Sequence, residues 1–273
     1  MVQDHFEEPA MRPLISAIIP VYGESPTLQR CLDSLRGQVD QIIIVDDGSD
    51  TFDEGVRDGV ICTVSKASND GFSAACNFGA RSASWMSEYL IFVNSDVQVF
   101  PTTVGEMVKC ADSTTIVGAK LLYPGSQGIQ HGGVYWMGPQ VVAHAYHSEH
   151  QLYAPACAVR ESLVTGGLML VPCSLFHELG GFDEQFHMAY EDIDLQMRAY
   201  SMGARAVYCG KAEALHYEGA TRKDTNFSAA EVARWNQWES DGQRLFYERY
   251  RGFDKSKFRH PDEMDKLKRG SDR

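Results

Sequence analysis

No stretch of this sequence approaches the roughly 20 consecutive apolar residues that a membrane-spanning helix requires, so no transmembrane segment is expected. Positive charge is scarce: 25 Lys and Arg stand against 37 Asp and Glu, a net charge of -12. That balance argues against a general nucleic-acid binder, whose surface is normally basic. The seven cysteines are odd in number and include no Cys-x-x-Cys pair. They fit free thiols in a reducing compartment better than a disulfide framework. Residues 1–13 carry Asp4, Glu7 and Glu8 and lack an apolar stretch, so no secretory signal is read there. Together these absences lead to the expectation of a soluble, cytoplasmic protein. No Gly-x-Gly-x-x-Gly follows the first apolar run, which disfavours a dinucleotide-dependent dehydrogenase. Internal repeats and low-complexity tracts are also missing.

What is present is a chain of 273 residues, 44% hydrophobic, enough to bury a full core as one large domain or as one domain with an appendage. Residues 15–22 read as a first buried strand. Ser25 and Pro26 predict a helix start, Leu28, Cys31, Leu32 and Leu35 recur at helical spacing, and Gly37 ends the helix. Strands are predicted at 41–45 and 60–64. A turn at Asn69-Asp70-Gly71 leads into a small-residue helix over 73–83, and a strand follows at 89–93. Strands alternating with helices imply right-handed parallel βαβ units. Thr103 and Glu106 predict a capping box, and 116–123 reads as a strand. Residues 124–164 are irregular, and a long loop in a compact domain is usually functional or mobile. Strand character returns at 166–171, with a short helix over 174–179. Ile193, Gln196, Met197 and Tyr200 define one face of a helix ending at Gly203, and 205–209 is the last strand expected. Ser228 and Glu231 form a second capping box ahead of a long helix carrying Val232, Trp235, Trp238, Leu245 and Phe246.

Acidic residues stand at the ends of these elements. Asp46-Asp47 closes the run Ile42-Ile43-Ile44-Val45, and Asn94-Ser95-Asp96 closes Tyr89-Leu90-Ile91-Phe92-Val93. Carboxylates at the C-terminal ends of buried parallel strands sit where an open α/β sheet binds its ligand. Asp47 there can accept an N–H from a pyrimidine ring, although Asp-Asp-Gly-Ser alone is also an ordinary turn. Asn94-Ser95-Asp96 reads either as a strand-terminating cap or as a shortened Asp-x-Asp metal motif. In the second reading Asp96 is the strong ligand for a hard cation whose other oxygens come from a diphosphate, with Asn94 and Ser95 near the ribose or in the water shell. Glu191-Asp192 opens a helix, where acids suit the macrodipole and where a fixed carboxylate can serve as general base on a sugar hydroxyl. His216 is either structural or, as neutral imidazole, a second ligand for Mn²⁺. His144, His147 and His150 are spaced by threes, but no cysteine pair or finger spacing supports a zinc site.

Charge is unevenly spread. Arg244, Arg249, Arg251, Lys255, Lys257 and Arg259 face only Glu248 and Asp254 across residues 244–259. This is either a solvated helix face or a contact for a phosphate-bearing acceptor or anionic membrane surface, which would make the protein peripheral at the inner face of a membrane. The aromatic face of residues 232–250 is read as packing rather than as a sugar platform, against its own domain or against a second subunit in a homodimer.

With those residues in place the chain resembles the family 2 glycosyltransferases of GT-A fold, and among them the rhamnosyltransferase-like branch that builds bacterial surface polysaccharides. The resemblance runs from Ile15 to Thr221 through motifs in order: Ile18-Ile19-Pro20-Val21-Tyr22, Val45-Asp46-Asp47-Gly48-Ser49, Asn69-x-Gly71-Phe72-Ser73-x-x-x-Asn77-x-Gly79, Asn94-Ser95-Asp96, Gly180-Gly181-Phe182-Asp183-Glu184 and Glu191-Asp192-x-Asp194-Leu195. It implies a Rossmann-like, mostly parallel sheet flanked by helices over residues 1–225, with a nucleotide-binding half at 14–123 and an acceptor-binding half at 124–225. A C-terminal helical extension covers 226–273. It also implies an inverting transfer from a UDP- or dTDP-sugar to a glycan or lipid-linked glycan acceptor, with Mg²⁺ or Mn²⁺ as cofactor. Pro20, Tyr22 and Glu24 would line the base and ribose pocket. Asp47, supported by Asp46, would bind the base. Asn69, Gly71 and Asn77 would lie along the nucleotide, and Arg222 would reach the diphosphate. Asp96 and His216 would hold the metal. Asp192 would be the base, with Glu191 positioning the acceptor. Asn94 stands where the family has its first Asp. Two other classes remain, an inactive nucleotide-sugar-binding module and a sugar-nucleotide pyrophosphorylase. The second would want a basic triphosphate loop, yet no Lys or Arg follows Pro20 until Arg30.

Overall fold

The three apolar runs that end before the first acidic clusters lie side by side as parallel strands. The structure, a computed structural model, describes residues 12–50, 61–138, 141–219, 227–260 and 262–263. Strand β1 (Ile15–Val21) pairs in parallel with β2 (Gln41–Asp46), Ile18 opposite Ile43. The crossover between them is helix α1 (Leu28–Leu35), which buries Cys31, Leu32 and Leu35. Its N-cap position is Thr27, without a side-chain cap. Ser25, expected as the cap, instead donates to the Ser95 hydroxyl at 3.0 Å, and Thr27 Oγ1 donates to the Ser95 carbonyl at 3.0 Å. The polar residues of this turn therefore tie two strand-end loops together rather than starting a helix. Strand β3 (Ile61–Ser65) adds in parallel to β2. Helix α2 (Phe72–Arg81) covers the opposite sheet face with small residues. A Cβ on Gly79 would come within 2.6 Å of Ile18 Cγ2 and 2.7 Å of Val45 Cγ2, so only glycine lets the helix lie this close to the sheet.

Strand β4 (Tyr89–Val93) pairs in parallel with the other edge of β1. The short β5 (Val97–Val99) and helix α3 (Thr103–Lys109) follow. The capping box expected at Thr103 does not form. Its hydroxyl instead accepts from the Phe100 N–H and donates to the Glu213 carbonyl, while Glu106 pairs with Lys109. Strand β6 (Thr115–Leu122) is buried along its whole length. The span expected to be irregular holds short strands: β7 (Ile129–His131) against β6, a separate hairpin of β8 (Val134–Gly138) and β9 (Val141–His144), a 3-10 turn at Ala154–Cys157, and β10 (Val159–Glu161). These strands are too short, and too interrupted by Gly, Pro and His, to carry a readable period.

Strand β11 (Leu168–Pro172) runs antiparallel between β4 and β6. Helices α4 (Cys173–Glu178) and α5 (Glu191–Ser201) lead to β12 (Arg205–His216), longer than expected because it continues past an irregularity between Cys209 and Glu213. Sheet order is β10-β12-β6-β11-β4-β1-β2-β3. One consequence matters for function. The C-terminal ends of β1, β2, β4, β6 and β12, and the N-terminal end of β11, all emerge at the same edge.

Helix α6 (Ala229–Arg249) opens on the expected capping box, with Ser228 and Glu231 making both reciprocal bonds. Its aromatic face packs on its own chain: Phe246 is fully buried and stacks on Trp136 and Tyr190. The tie to the body is ionic. Asp194 on α5, 0% exposed, accepts from Arg198 Nε at 2.8 Å, Arg249 Nη1 at 2.7 Å and the Tyr250 hydroxyl at 2.8 Å. Arg249 also pairs with Asp183 at 2.8 Å. Much of the basic tract is thus engaged within the chain, with Arg244 on Asp241, Lys255 over the Trp136 ring and Lys257 over Tyr200. No helix among the described residues is long and apolar enough to cross a membrane.

Removing one partner of a buried ion pair costs about 3–5 kcal/mol, and less where the other keeps some solvent access, as both arginines here do. Asp194→Ala should therefore lower unfolding free energy by about 3 kcal/mol, read from urea melts. An unchanged midpoint would show that α6 is held by its aromatic face alone.

Candidate active site

The shared edge forms the floor of one cleft of about 930 Å³. Asp47, Asp96 and Asp192, far apart in sequence, all line it. On one side lie Pro20, Tyr22, Asn69 and Gly71, with Asn94 and Ser95 at the centre. Asp47 is buried, and its carboxylate accepts from Lys66 Nζ at 2.6 Å and from the Gly71 and Asp70 N–H groups at 3.0 and 3.3 Å. Burial pushes its pKa above the ordinary value, against the opposing pull of Lys66 and the two amides. Asp46 lies behind it, accepting the Ser49 N–H at 3.0 Å, and so shapes the turn rather than lining the cleft. Gly71 is at φ 95°, and a Cβ there would meet the His187 carbonyl at 2.3 Å, so this position needs glycine for both conformation and space.

Two other expected nucleotide contacts are placed elsewhere. Glu24 is exposed outside the cleft lining. Asn77 is buried beneath it, donating to the Phe182 carbonyl and Glu184 and accepting the Phe182 N–H at 2.9 Å. Its amide is saturated by the Gly180-Gly181-Phe182 turn, so two motifs that look separate in sequence clamp each other. Arg222 lies outside the described residues. Tyr22 stacks on Phe227 at 5.7 Å and donates to Glu231 Oε1 at 2.7 Å, which brings the start of α6 over the pocket.

At the centre, Asp96 Oδ1 and His216 Nε2 are 3.1 Å apart. Adjacent ligands in an octahedral shell with bonds of about 2.1 Å are separated by about 3 Å, so the pair fits two neighbouring positions around Mg²⁺ or Mn²⁺. Among the described residues no three His, Cys, Asp or Glu side chains gather around one point, so further ligands would have to come from diphosphate oxygens and water. The histidines at 144, 147 and 150 do not converge: they meet His131, Tyr123 and Gln127 respectively.

Glu191 and Asp192 stand at the start of α5. Asp192 Oδ2 accepts the Gly166 N–H at 2.6 Å and Oδ1 accepts the Ile193 N–H at 2.7 Å. Burial raises its pKa, opposed by these amides and the Thr165 hydroxyl. A raised pKa makes a carboxylate a stronger base. The two residues before the pair, Ala189 and Tyr190, both adopt left-handed backbone, at φ 67° and 69°. Each such non-glycine residue costs on the order of 1–2 kcal/mol. Helix α6 holds them there: Tyr190 stacks on Phe246, its hydroxyl accepts from Gln243, and Gly242 leaves room for the Ala189 carbonyl, which lies 3.0 Å from where a Cβ would be.

Several residues of the cleft or directly behind its lining were not foreseen in the sequence. Lys66 follows a strand, and its lysine looks like ordinary surface charge. Trp235 and Glu239 line the cleft from α6, where Trp235 was expected only to pack. Gln130, His131 and His144 come from the short strands. The N–H of Thr165 meets His131 Nε2 at 3.4 Å, and His131 Nδ1 lies 2.7 Å from His144 Nδ1. Burial and the neighbouring imidazole hold the His131 pKa well below its ordinary value, so it is neutral. The paired glycines Gly166-Gly167 were the one signal available near Asp192.

Comparison with known proteins agrees with this geometry. Residues 16–179 match the model of Glycosyl transferase family 2, more than half of the chain. The chain is 32% identical over 231 residues to the uncharacterized protein y4gI of Sinorhizobium fredii, covering 77% of this chain and 25% of that protein. It is 28% identical over 237 residues to the O-antigen biosynthesis protein RfbC of Myxococcus xanthus, covering 77% and 18%. Both are several times longer than the region they share with this chain. It is 25% identical over 245 residues to an N-acetylglucosaminyl-diphospho-decaprenol L-rhamnosyltransferase of Mycobacterium tuberculosis, covering 76% and 77%. Among solved structures, GalNAc-T7 with UDP, GalNAc and Mn²⁺ superposes with TM-score 0.64 at 15% identity, over 94% of this chain and 54% of that one. The S. aureus TarS fragment superposes with TM-score 0.53 at 16% identity, over 88% and 74%. These likenesses show the GT-A fold.

The Lys66–Asp47 pair makes a pH-dependent prediction. Asp47 in the fold titrates above its ordinary value of 3.8. Ionising it therefore costs stability, and the cost appears as pH rises through the folded value. Without Lys66 that cost grows. Lys66→Met should lose about 3 kcal/mol near pH 8 and less at an acid pH approaching the ordinary carboxylate value, as Asp47 takes up a proton and no longer needs a cation. Denaturant melts at the two pH values would show the deficit widening upward; a constant deficit would contradict it.

Proposed function

The chain belongs to glycosyl transferase family 2, and we propose that it transfers a sugar from a UDP- or dTDP-activated donor to a hydroxyl acceptor with inversion at the anomeric carbon. The observation that carries this reading is the meeting of Asp47, Asp96 and Asp192 in one cleft. In the proposed reaction the nucleotide lies on the side of Tyr22, Asp47 and Gly71. The Asp47 carboxylate accepts the pyrimidine ring N–H, a pairing that favours uracil or thymine. The acceptor hydroxyl sits at Asp192, which takes its proton as the oxygen bonds to the anomeric carbon. The nucleoside diphosphate departs from the opposite face, so one displacement inverts the centre without a covalent sugar–enzyme species. Glu191 positions the acceptor. Asp96 and His216 would hold the cation. A bound Mg²⁺ or Mn²⁺ supplies Lewis-acid stabilisation of the departing diphosphate. Membership in a glycosyl transferase family leaves the pyrophosphorylase alternative without support.

For the acceptor, the relatives named for O-antigen biosynthesis and for rhamnosyl transfer to a diphospho-decaprenol glycan support a lipid-linked or growing surface glycan. The wall formed by β7, β8 and β9, with Tyr123, His144 and His147 facing the cleft, is the acceptor side in this reading. Seven free thiols support a reducing compartment, hence the cytoplasmic side of the membrane that carries such acceptors.

A positioned general base contributes about 10²–10⁴-fold. Asp192→Asn should remove at least that much turnover while leaving the affinity for nucleotide donor nearly unchanged. The acid limb of kcat/KM in the wild type should lie above 3.8, because burial raises the base. Thermal-shift screening of UDP- and dTDP-sugars with Mn²⁺ selects the donor to use, since a matched ligand stabilises by mass action. Residual turnover in Asp192→Asn with lost donor binding would overturn the assignment.

A further inference from the structure

Behind the Asp96–His216 pair lies a hydrogen-bonded relay, buried at Gln130 and open to solvent at Glu218, that no feature of the sequence announces. His216 Nδ1 meets Gln130 Oε1 at 2.6 Å, and Gln130 Nε2 donates to Glu218 Oε2 at 3.1 Å. Gln130 is 6% exposed on β7, and both Gln130 and Glu218 border the cleft. Each link constrains the next. A carboxylate only accepts hydrogen bonds, so Glu218 turns the NH₂ end of the Gln130 amide toward itself. The carbonyl end of that amide must then face His216, and a carbonyl also only accepts. The proton of a neutral His216 is thereby placed on Nδ1, and the lone pair on Nε2 is directed at Asp96. Two lone-pair atoms 3.1 Å apart repel unless a positive charge lies between them.

We propose that Gln130, braced by Glu218, is the positioning residue that makes His216 Nε2 a cation ligand. This rests on the reading of Asp96 and His216 as the metal pair, and it deepens that reading. Without Gln130 the imidazole is free to carry its proton on Nε2, where it would donate to Asp96 and shut out the cation. Residues that orient a metal-bound histidine through its second nitrogen typically govern about 10–100-fold of metal affinity. The relay also explains why β7 is pinned against β6: Leu121 pairs with His131 and Leu122 with Ile129, which brings Gln130 to the end of β12.

The test separates the relay from the metal pair itself. The full chain is titrated calorimetrically with UDP in EDTA and with preformed Mn–UDP, and a parallel series uses dTDP. The ratio of the two affinities is the increment due to metal. Asp96→Asn and His216→Ala should abolish the increment. Gln130→Leu should reduce it by about 10–100-fold while leaving metal-free nucleotide affinity unchanged. The exchange Gln130→Glu with Glu218→Gln keeps net charge and keeps an acceptor facing Nδ1, so it should recover most of the increment. Nitrogen-15 imidazole spectra of the metal-free protein, taken at a pH high enough for the imidazole to be neutral, should show His216 protonated on Nδ1 in the wild type and in the exchange variant, and mixed tautomers in Gln130→Leu. If Asp96→Asn and His216→Ala keep the increment, or the wild type shows none, the metal pair fails and the relay with it. If those two variants lose it while Gln130→Leu retains it, or the neutral wild-type imidazole carries its proton on Nε2, the relay alone is overturned.

Discussion

Parallel pairing of β1 with β2 and β4 is the constraint from which the site follows. Strands that run the same way in one sheet end at the same edge, and right-handed crossovers put their connecting helices on the faces. Whatever follows each strand is delivered to one place: Tyr22 after β1, Asp47 after β2, Asn94 to Asp96 after β4. The antiparallel β11 extends the arrangement by entering the sheet from that edge, so the Gly166–Gly167 turn that precedes it faces the same cleft. The two sheet faces are sealed by separate apolar clusters, so the edge carries the polar chemistry while stability resides on the faces.

The half of the cleft furthest from Tyr22 and Asp47 depends on a different support. Family matching ends at residue 179, and Asp192 and His216 lie beyond it. Their placement is secured by α5, by β12 pairing in parallel with β6, and by the clasp of α6 on Asp194. The left-handed backbone at Ala189 and Tyr190 illustrates how that support is used. An isolated chain would relax such a conformation, whereas here stacked aromatic rings and a glycine on the facing helix keep it in place, with the two acids directly after it.

The sequence was informative wherever a physical signal is local. Unbroken Ile and Val runs marked the buried parallel strands, Ser228 with Glu231 marked the start of α6, and the acids at strand ends marked the cleft. It was silent where meaning depends on partners. Ser25 and Thr103 have capping chemistry, yet Ser25 bonds to Ser95 after β4 and Thr103 to the Glu213 carbonyl of β12. Asn77 belongs to a motif that looks like nucleotide contact, yet its amide holds the Phe182 turn. Arg249 looks like surface charge, and only the folded chain shows Asp194 waiting for it. Gln130 sits in three residues of strand, too short to show a period, and its neighbours in space come from positions 216 and 218.

Glu231 has two loyalties. It closes the reciprocal cap that starts α6, and it accepts a hydrogen bond from the Tyr22 hydroxyl at the edge of the cleft. At its other end the same helix grips α5 through Asp194. A chimera that imports the β7–β9 wall of a relative while leaving this helix native would join two sides of a cleft tensioned by a strap cut for a different frame. Recombination between relatives should therefore carry residues 227–250 as one block with the segment bearing Asp192.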